Sequence, residues 1–293
     1  MALHDIFETV HHLYIVVEYC SIGELFDALL HSTPSGWFGE RESADILRQI
    51  ADALAFMHRR NIVHRDLKLE NILISDKDPL SGAFTVKISD FGLSKQLRSD
   101  VDGGDALNGG GDVESDHKED GDDNLNGGGM ATLCGTLFYV APEILRDDVY
   151  DEKVDCWSLG VIAYCLLCGS LPFYSENEAE IQELVLRGEY DLGQQDAHWL
   201  TVSEWAKDLV RSLLTMDKQR RLSADQVLAH RFITGDTAKL QKRRSFKQLA
   251  IKWPLKQFRG MIHAAKQSLG AESDLDHDDG DDGKQVPNAK AVD

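Results

Sequence analysis

Two hydrophobic periods run along this chain, and each predicts a different element. From Glu42 to His58, apolar residues fall at Ala44, Leu47, Ile50, Ala51, Leu54 and Met57. Steps of three and four residues bring these onto one face, which predicts an amphipathic helix. Leu13–Val17 is a run of branched and aromatic residues and predicts a buried strand. Ile72–Ile74 and Thr85–Ile88 predict two short strands flanking a turn at Asp76–Gly82. After Pro142 the pattern is helical. Trp199–Thr215 alternates apolar and charged residues at helical period, and Asp225–His230 predicts a further short helix. Cys156–Phe173 contains no charged residue. Gly169 and Pro172 stop that run short of a bilayer, so it predicts a buried core helix rather than a membrane span. A small β portion therefore precedes a mostly helical body.

Composition narrows the class. With 42% hydrophobic residues in 293, the chain can bury a sizeable core. A formal charge of −19 argues against non-specific binding to nucleic acid or to an anionic membrane. Five Cys in this length make no disulfide framework and point to a reducing compartment. Cys165 and Cys168 form a lone CxxC within the uncharged run and read as small core residues. The first dozen residues carry Asp5, Glu8 and three His, which is no secretory leader. A soluble intracellular protein, cytoplasmic or nuclear, is expected.

The charge is concentrated in blocks. The stretch 100–129 is acidic, Gly-rich and free of aromatics, and it cannot bury enough surface to offset its chain entropy, so it predicts a disordered insert. It fails as an EF-hand: counted from Asp116, position 3 is Lys118 and position 12 is Gly127. Segment 239–266 is the reverse, with Lys and Arg interleaved with Phe246, Leu249, Trp253 and Phe258 and no acid. Such a segment suits an amphipathic helix in a partner's groove, although Pro254 interrupts it and a merely basic tail is the plainer reading. Residues 267–293 are again acidic and read as a disordered tail.

The chemistry gathers in three motifs in fixed order. His64-Arg65-Asp66-Leu67-Lys68-Leu69-Glu70-Asn71 lies between a helix and a strand, Asp90-Phe91-Gly92 follows a second strand, and Ala141-Pro142-Glu143 closes the region. Each alone is short; together, with strands where they should be, they are specific. This set resembles the catalytic domain of the protein kinases from about His4 to Phe232. The resemblance implies an α+β, protein kinase-like fold with a near-complete, mostly helical large lobe and a remnant of the small β-lobe. It divides the chain into 1–20 (small-lobe remnant and hinge), 21–238 (large lobe), 239–266 and 267–293.

The activity implied is transfer of the ATP γ-phosphate to Ser or Thr hydroxyls of proteins, with Mg²⁺ as cofactor. Phosphoryl transfer needs positioning and charge neutralisation more than covalent help. By resemblance, Asp66 accepts the substrate proton, Lys68 neutralises the γ-phosphate, and Asn71 and Asp90 hold Mg²⁺, a hard cation that prefers oxygen ligands. Thr136 contacts the catalytic Asp and Lys. Val17, Glu18, Cys20, Glu70 and Leu73 are implied to line the nucleotide site. Glu24 would contact ribose and a basic substrate residue, or serve only as an acid at a helix N-terminus. Asp155 braces the catalytic loop, and Glu143 pairs with Arg221.

Gly23-Glu24-Leu25-Phe26-Asp27 and Thr132-Leu133-Cys134-Gly135-Thr136 are most similar to the calcium/calmodulin-dependent group. On that likeness Thr132 carries an activating phosphate that Arg65 pairs with. The acidic insert would compete for Arg65, and 239–266 would bind a calmodulin-like partner. Leu69 stands where the family usually has Pro. The family's Gly-rich loop and Val-Ala-Ile-Lys strand have no counterpart upstream of Asp66, so weak turnover of this chain, or a role as a catalytically impaired or pseudokinase binding module, is the alternative expectation.

Overall fold

The computed structural model describes residues 1–31, 37–97, 137–193 and 197–235. The acidic stretch 100–129, Thr132, Thr136 and the segments 239–266 and 267–293 lie outside the described residues.

The chain starts with an antiparallel hairpin of β1 (Leu3–Glu8) and β2 (Leu13–Val17), with Ile6 opposite Ile15. The strand expected at Leu13–Val17 is present, but it is exposed along its whole length, not buried. Among the described residues β1 is the only strand it pairs with, so both faces of this two-stranded ribbon stay open to solvent.

Next come β3 (Gly23–Glu24) and α1 (Leu25–His31). Helix α2 runs from Glu40 to His58, two residues earlier than the apolar pattern began. The Glu42 carboxylate accepts the Gly39 backbone N–H at 3.0 Å, which caps the first turn at a point the apolar stripe does not mark. The stripe itself faces inward as expected: Ala44, Leu47, Ile50, Ala51 and Leu54 are buried. Strand β4 (Ile62–Val63) leads into the 64–71 loop. Then β5 (Ile72–Lys77) and β6 (Phe84–Ile88) form a hairpin, β3 joins β5, and β7 (Lys95–Gln96) pairs with β4. The α2 side chain Gln49 donates to Phe84 O at 2.8 Å and accepts from Val86 N–H at 3.0 Å.

After α3 (Pro142–Leu145), the uncharged run forms α4 (Lys153–Cys168), buried from Val154 onward and closed by Gly169 in the left-handed region at φ 73°. Burial pushes the Cys156 thiol up to about 12 and raises that of Cys165 as well, which keeps both protonated core residues. No described helix is long and apolar enough to cross a membrane. Helix α5 spans Glu178–Arg187. The single helix expected over Trp199–Thr215 is instead a 3₁₀ turn, Ala197–Thr201, followed by α6 (Glu204–Leu213). Ser203 separates them by capping α6, its hydroxyl accepting from Ala206 N–H at 3.2 Å. Helices α7 (Ala224–Ala229) and α8 (Arg231–Thr234) end the described body, where the sequence pattern gave one short helix.

The core lies where α2, α4 and α6 meet. Gly160 sets the closeness of α4 and α6: a Cβ there would sit 2.8 Å from Leu213 Cβ and 2.8 Å from Leu214 Cδ2. A Gly160→Val variant is therefore expected to lose about 3 kcal/mol through overpacking. Urea unfolding would show this as a lower midpoint at unchanged slope; an unchanged midpoint would mean the helices separate freely.

Candidate active site

The loop 64–71 is built between the end of α2 and the start of β5, and its shape is set from beneath. Asp155, in the first turn of α4, is fully buried. Its Oδ1 accepts the Arg65 backbone N–H at 2.9 Å, and its Oδ2 accepts the His64 N–H at 2.9 Å. Arg65 has φ +68°, a conformation that L side chains disfavour, so this backbone holds its turn against a local preference. His58 Nε2 also lies 2.9 Å from Asp155 Oδ2.

Directly after that turn three polar side chains converge. Asp66 Oδ2 accepts from Lys68 Nζ at 2.6 Å and from Asn71 Nδ2 at 3.0 Å, while the same Asn71 amide donates to Asp66 O at 2.8 Å. Asp66 is buried, and two donors fix the direction of its carboxylate. The Asn71 amide nitrogen faces Asp66, which turns its amide oxygen away from that carboxylate.

Asp90 is tied to this cluster through its neighbour. Ile72 pairs with Ile88 across β5 and β6, and just beyond that pair Ser89 donates to Asn71 O twice, from N–H at 2.8 Å and from Oγ at 2.9 Å. His64 Nε2 is 3.0 Å from Ser89 O, and its ring meets Phe91 edge-on at 5.1 Å. Asp90 itself is exposed and also has positive φ, at 59°. The Asn71 amide oxygen and the Asp90 carboxylate are hard oxygen donors at one end of the β5–β6 hairpin, a donor set that suits Mg²⁺.

The expected nucleotide-lining positions are spread over several elements: Val17 ends β2, Glu18 and Cys20 follow it, Glu24 is in β3, Glu70 lies in a 3₁₀ turn (Leu69–Asn71) and Leu73 is in β5. Glu24 is paired with Leu73, and Leu73 with Lys87, in consecutive register across the β3–β5–β6 sheet. Lys87 Nζ reaches Glu18 Oε2 at 3.2 Å. The Ala2 N–H and then Lys87 hold the Glu18 carboxyl below the usual carboxylate range. Glu18 N–H is already taken by Ala2 O at 2.8 Å. Cys20 is buried and Val17 is exposed. Glu70 is buried with its carboxylate turned toward Tyr139 Oη, at 3.5 Å. Burial, with the Glu70 charge beside it, raises the Tyr139 hydroxyl well above its ordinary value and keeps it a donor.

Arg65 reaches outward: its Nε donates to Leu93 O and its NH1 to Tyr150 Oη at 3.0 Å. Arg221 and Glu143 form a two-pronged pair, at 2.6 and 2.9 Å, with both residues buried. Arg221 adds bonds to Thr215 O and Lys153 O and lies 5.0 Å from the Trp157 ring centre. Sequence reasoning missed His58, Tyr150 and Ser89. None sits in a motif, and His58 meets its partner across 97 residues of chain, a relation only the fold reveals.

Comparison with known proteins gives a consistent set. A family model described as the protein kinase domain matches residues 1–233. Among curated proteins, the chain is 38% identical over 236 residues to calcium/calmodulin-dependent protein kinase type 1 of Macrobrachium nipponense, covering 80% of this chain and 58% of that protein. It is 37% identical to the type 1 protein of Caenorhabditis elegans, with the same two coverages. It is also 37% identical over 238 residues to type 1B of Homo sapiens, covering 81% and 59%. The chain thus spans less than two thirds of the length of these relatives.

Proposed function

This chain belongs to the protein kinase domain family, and on that premise we propose that it is a Ser/Thr kinase that transfers the ATP γ-phosphate to protein hydroxyls. The observation that carries the reading is the convergence of Lys68 and Asn71 on one oxygen of the buried Asp66 carboxylate. A buried carboxylate fixed in direction can orient a substrate hydroxyl in line and take its proton as the bond to phosphorus forms. The Lys68 ammonium stands beside it, where negative charge moves during transfer. Asn71 and Asp90 would hold Mg²⁺, which neutralises phosphate charge when bound. The Arg65 turn at positive φ, held by the buried Asp155, sets the direction in which Asp66 leaves the backbone without relying on the substrate. Glu70, Glu18, Cys20, Val17 and Leu73 are assigned to the nucleotide's surroundings, Thr136 to contact with Asp66 and Lys68, and Thr132 to activation through Arg65. Segment 239–266 is assigned to an acidic, calmodulin-like partner.

Substrates carry basic residues near the acceptor, on this reading, because Glu24, which pairs with Leu73 across β3 and β5, is an acidic residue close in the fold to the 64–71 loop. With Mg-ATP, a Ser peptide bearing an upstream Arg should be phosphorylated with kcat/KM about tenfold above its Arg→Ala version, the worth of one partly desolvated ion pair. Glu24→Gln should erase that difference. Label on Tyr, or no difference between the peptides, would contradict the specificity. A second reading, a binding module without turnover, is favoured by the apolar side chains that β1 and β2 expose, among them Ile6, Phe7 and Ile15. The same assay separates the two, since a binding module leaves both peptides unlabelled.

A further inference from the structure

We propose that the outward face of α2 is a homodimer interface, on which a second copy of this chain docks its own α2 antiparallel about a two-fold axis. Four charged residues, Arg41, Asp45, Arg48 and Asp52, form one stripe along that face. At about 100° per residue they fall within about 60° of one another, opposite the buried row of Leu47, Ile50 and Leu54. Their signs alternate, positive then negative, and an alternating stripe of four is its own complement when turned end for end. With the axis between Ile46 and Leu47, Arg41 meets Asp52 of the second copy, and Asp45 meets Arg48 of the second copy. Two-fold symmetry repeats both pairs, so all four contacts join opposite charges. A register shifted by four residues sets Asp45 against Asp52, or Arg41 against Arg48, so the same charges also fix the alignment.

The stripe is not used up within one chain. Asp45 and Arg48 pair at 2.9 Å, but among the described residues Arg41 and Asp52 join no salt bridge, although each stands four residues from an opposite charge. Both of those pairings would run base before acid, the weaker order along a helix. The surface beside the stripe suits the same occupant. The β5–β6 turn carries Leu80 at its tip, 97% exposed, yet the turn is firmly set: Asp78 Oδ1 accepts Leu80 N–H at 2.7 Å and Ser81 N–H at 2.8 Å. A two-fold axis perpendicular to α2 keeps the turns of both copies on one side of the paired helices, so each Leu80 exchanges water for the second copy. A cavity of about 390 Å³, bounded by Arg41, Asp45, Arg48 and the 81–84 limb of that turn, leaves room for incoming side chains. One helix face and one turn make a small interface, with Kd on the order of 10 µM.

Sedimentation equilibrium of the full 293-residue chain, up to about 100 µM, tests this without any need for catalysis. Arg41→Glu sets a carboxylate against Asp52 twice per dimer, and Asp52→Arg sets a cation against Arg41 twice. Each should raise Kd at least tenfold. Both positions are exposed, so the fold is kept. The double variant Arg41→Glu with Asp52→Arg should return Kd to within threefold of the native value. Within one chain these two positions lie roughly 16 Å apart along α2, too far to pair, so that rescue acts only between copies. The single variants move the net charge of −19 in opposite directions, so general repulsion between acidic chains would weaken one dimer and strengthen the other. That result would overturn the proposal, as would a double variant no tighter than the singles. A native chain that stays monomeric throughout would also overturn it and leave the face to a different partner or to solvent. Single variants that associate like the native chain would do the same and move the contact to the exposed β1–β2 ribbon.

Discussion

Asp66→Asn is expected to lower kcat for phosphoryl transfer by about 10³-fold, within the range that a positioned general base contributes. The amide keeps the shape of the carboxylate but cannot take the substrate proton, and it weakens the hold on Lys68 Nζ, 2.6 Å away in the native chain. Mg-ATP affinity should change little, because the implied metal donors are Asn71 and Asp90. Comparing single-turnover phosphorylation with ATP titration by calorimetry checks both halves. A variant that phosphorylates at half the native rate would falsify the assignment of Asp66 as base, whatever the fate of the fold. A variant that loses ATP binding together with turnover would mean that Asp66 acts mainly in building the cleft.

The second large effect concerns stability. Glu143→Ala should cost roughly 3–5 kcal/mol, the loss seen when one partner of a buried ion pair is removed. Arg221 would then be left in the interior with its bonds to Thr215 O and Lys153 O but no counter-charge. For a body of this size the melting temperature should fall on the order of 10 °C. The double variant Glu143→Leu with Arg221→Met should lose less than Glu143→Ala, because it strands no charge. If the single variant melts within a degree of the native chain, the pair is not the anchor between α3 and the segment after α6 that its geometry implies.

Much of this architecture is legible in the residues. The α2 stripe and the uncharged α4 run carry strong periodic or length signals, and both appear as helices with the expected faces buried. Local polar bonds, which no hydropathy pattern carries, decide the boundaries. Glu42 starts α2 early and Ser203 splits the expected 199–215 helix. Strand β2 shows a second limit. A run of Leu, Tyr, Ile and Val reads as buried, yet burial depends on what packs against it, and among the described residues β1 is the only strand paired with it. At the site, the order of the three motifs points to Asp66, Lys68, Asn71 and Asp90 as candidates, and the structure brings Lys68 and Asn71 onto Asp66. What the motif order could not supply was the connection between them: the double bond from Ser89 to Asn71 O, or the sharing of Asp155 Oδ2 by two histidines. Each of those contacts spans a long stretch of chain, and Ser89 and His58 belong to none of the three motifs.

Gln49 has a consequence for the protein's solubility. Among the described residues β6 is the outermost strand of its sheet, and an outermost strand offers unpaired carbonyl and amide groups to any passing chain. On β6, the carbonyl of Phe84 and the amide of Val86 are both taken by the Gln49 carboxamide, which copies the donor–acceptor spacing of a neighbouring strand. A helix side chain thus seals the border of the sheet where intermolecular β-pairing would otherwise begin.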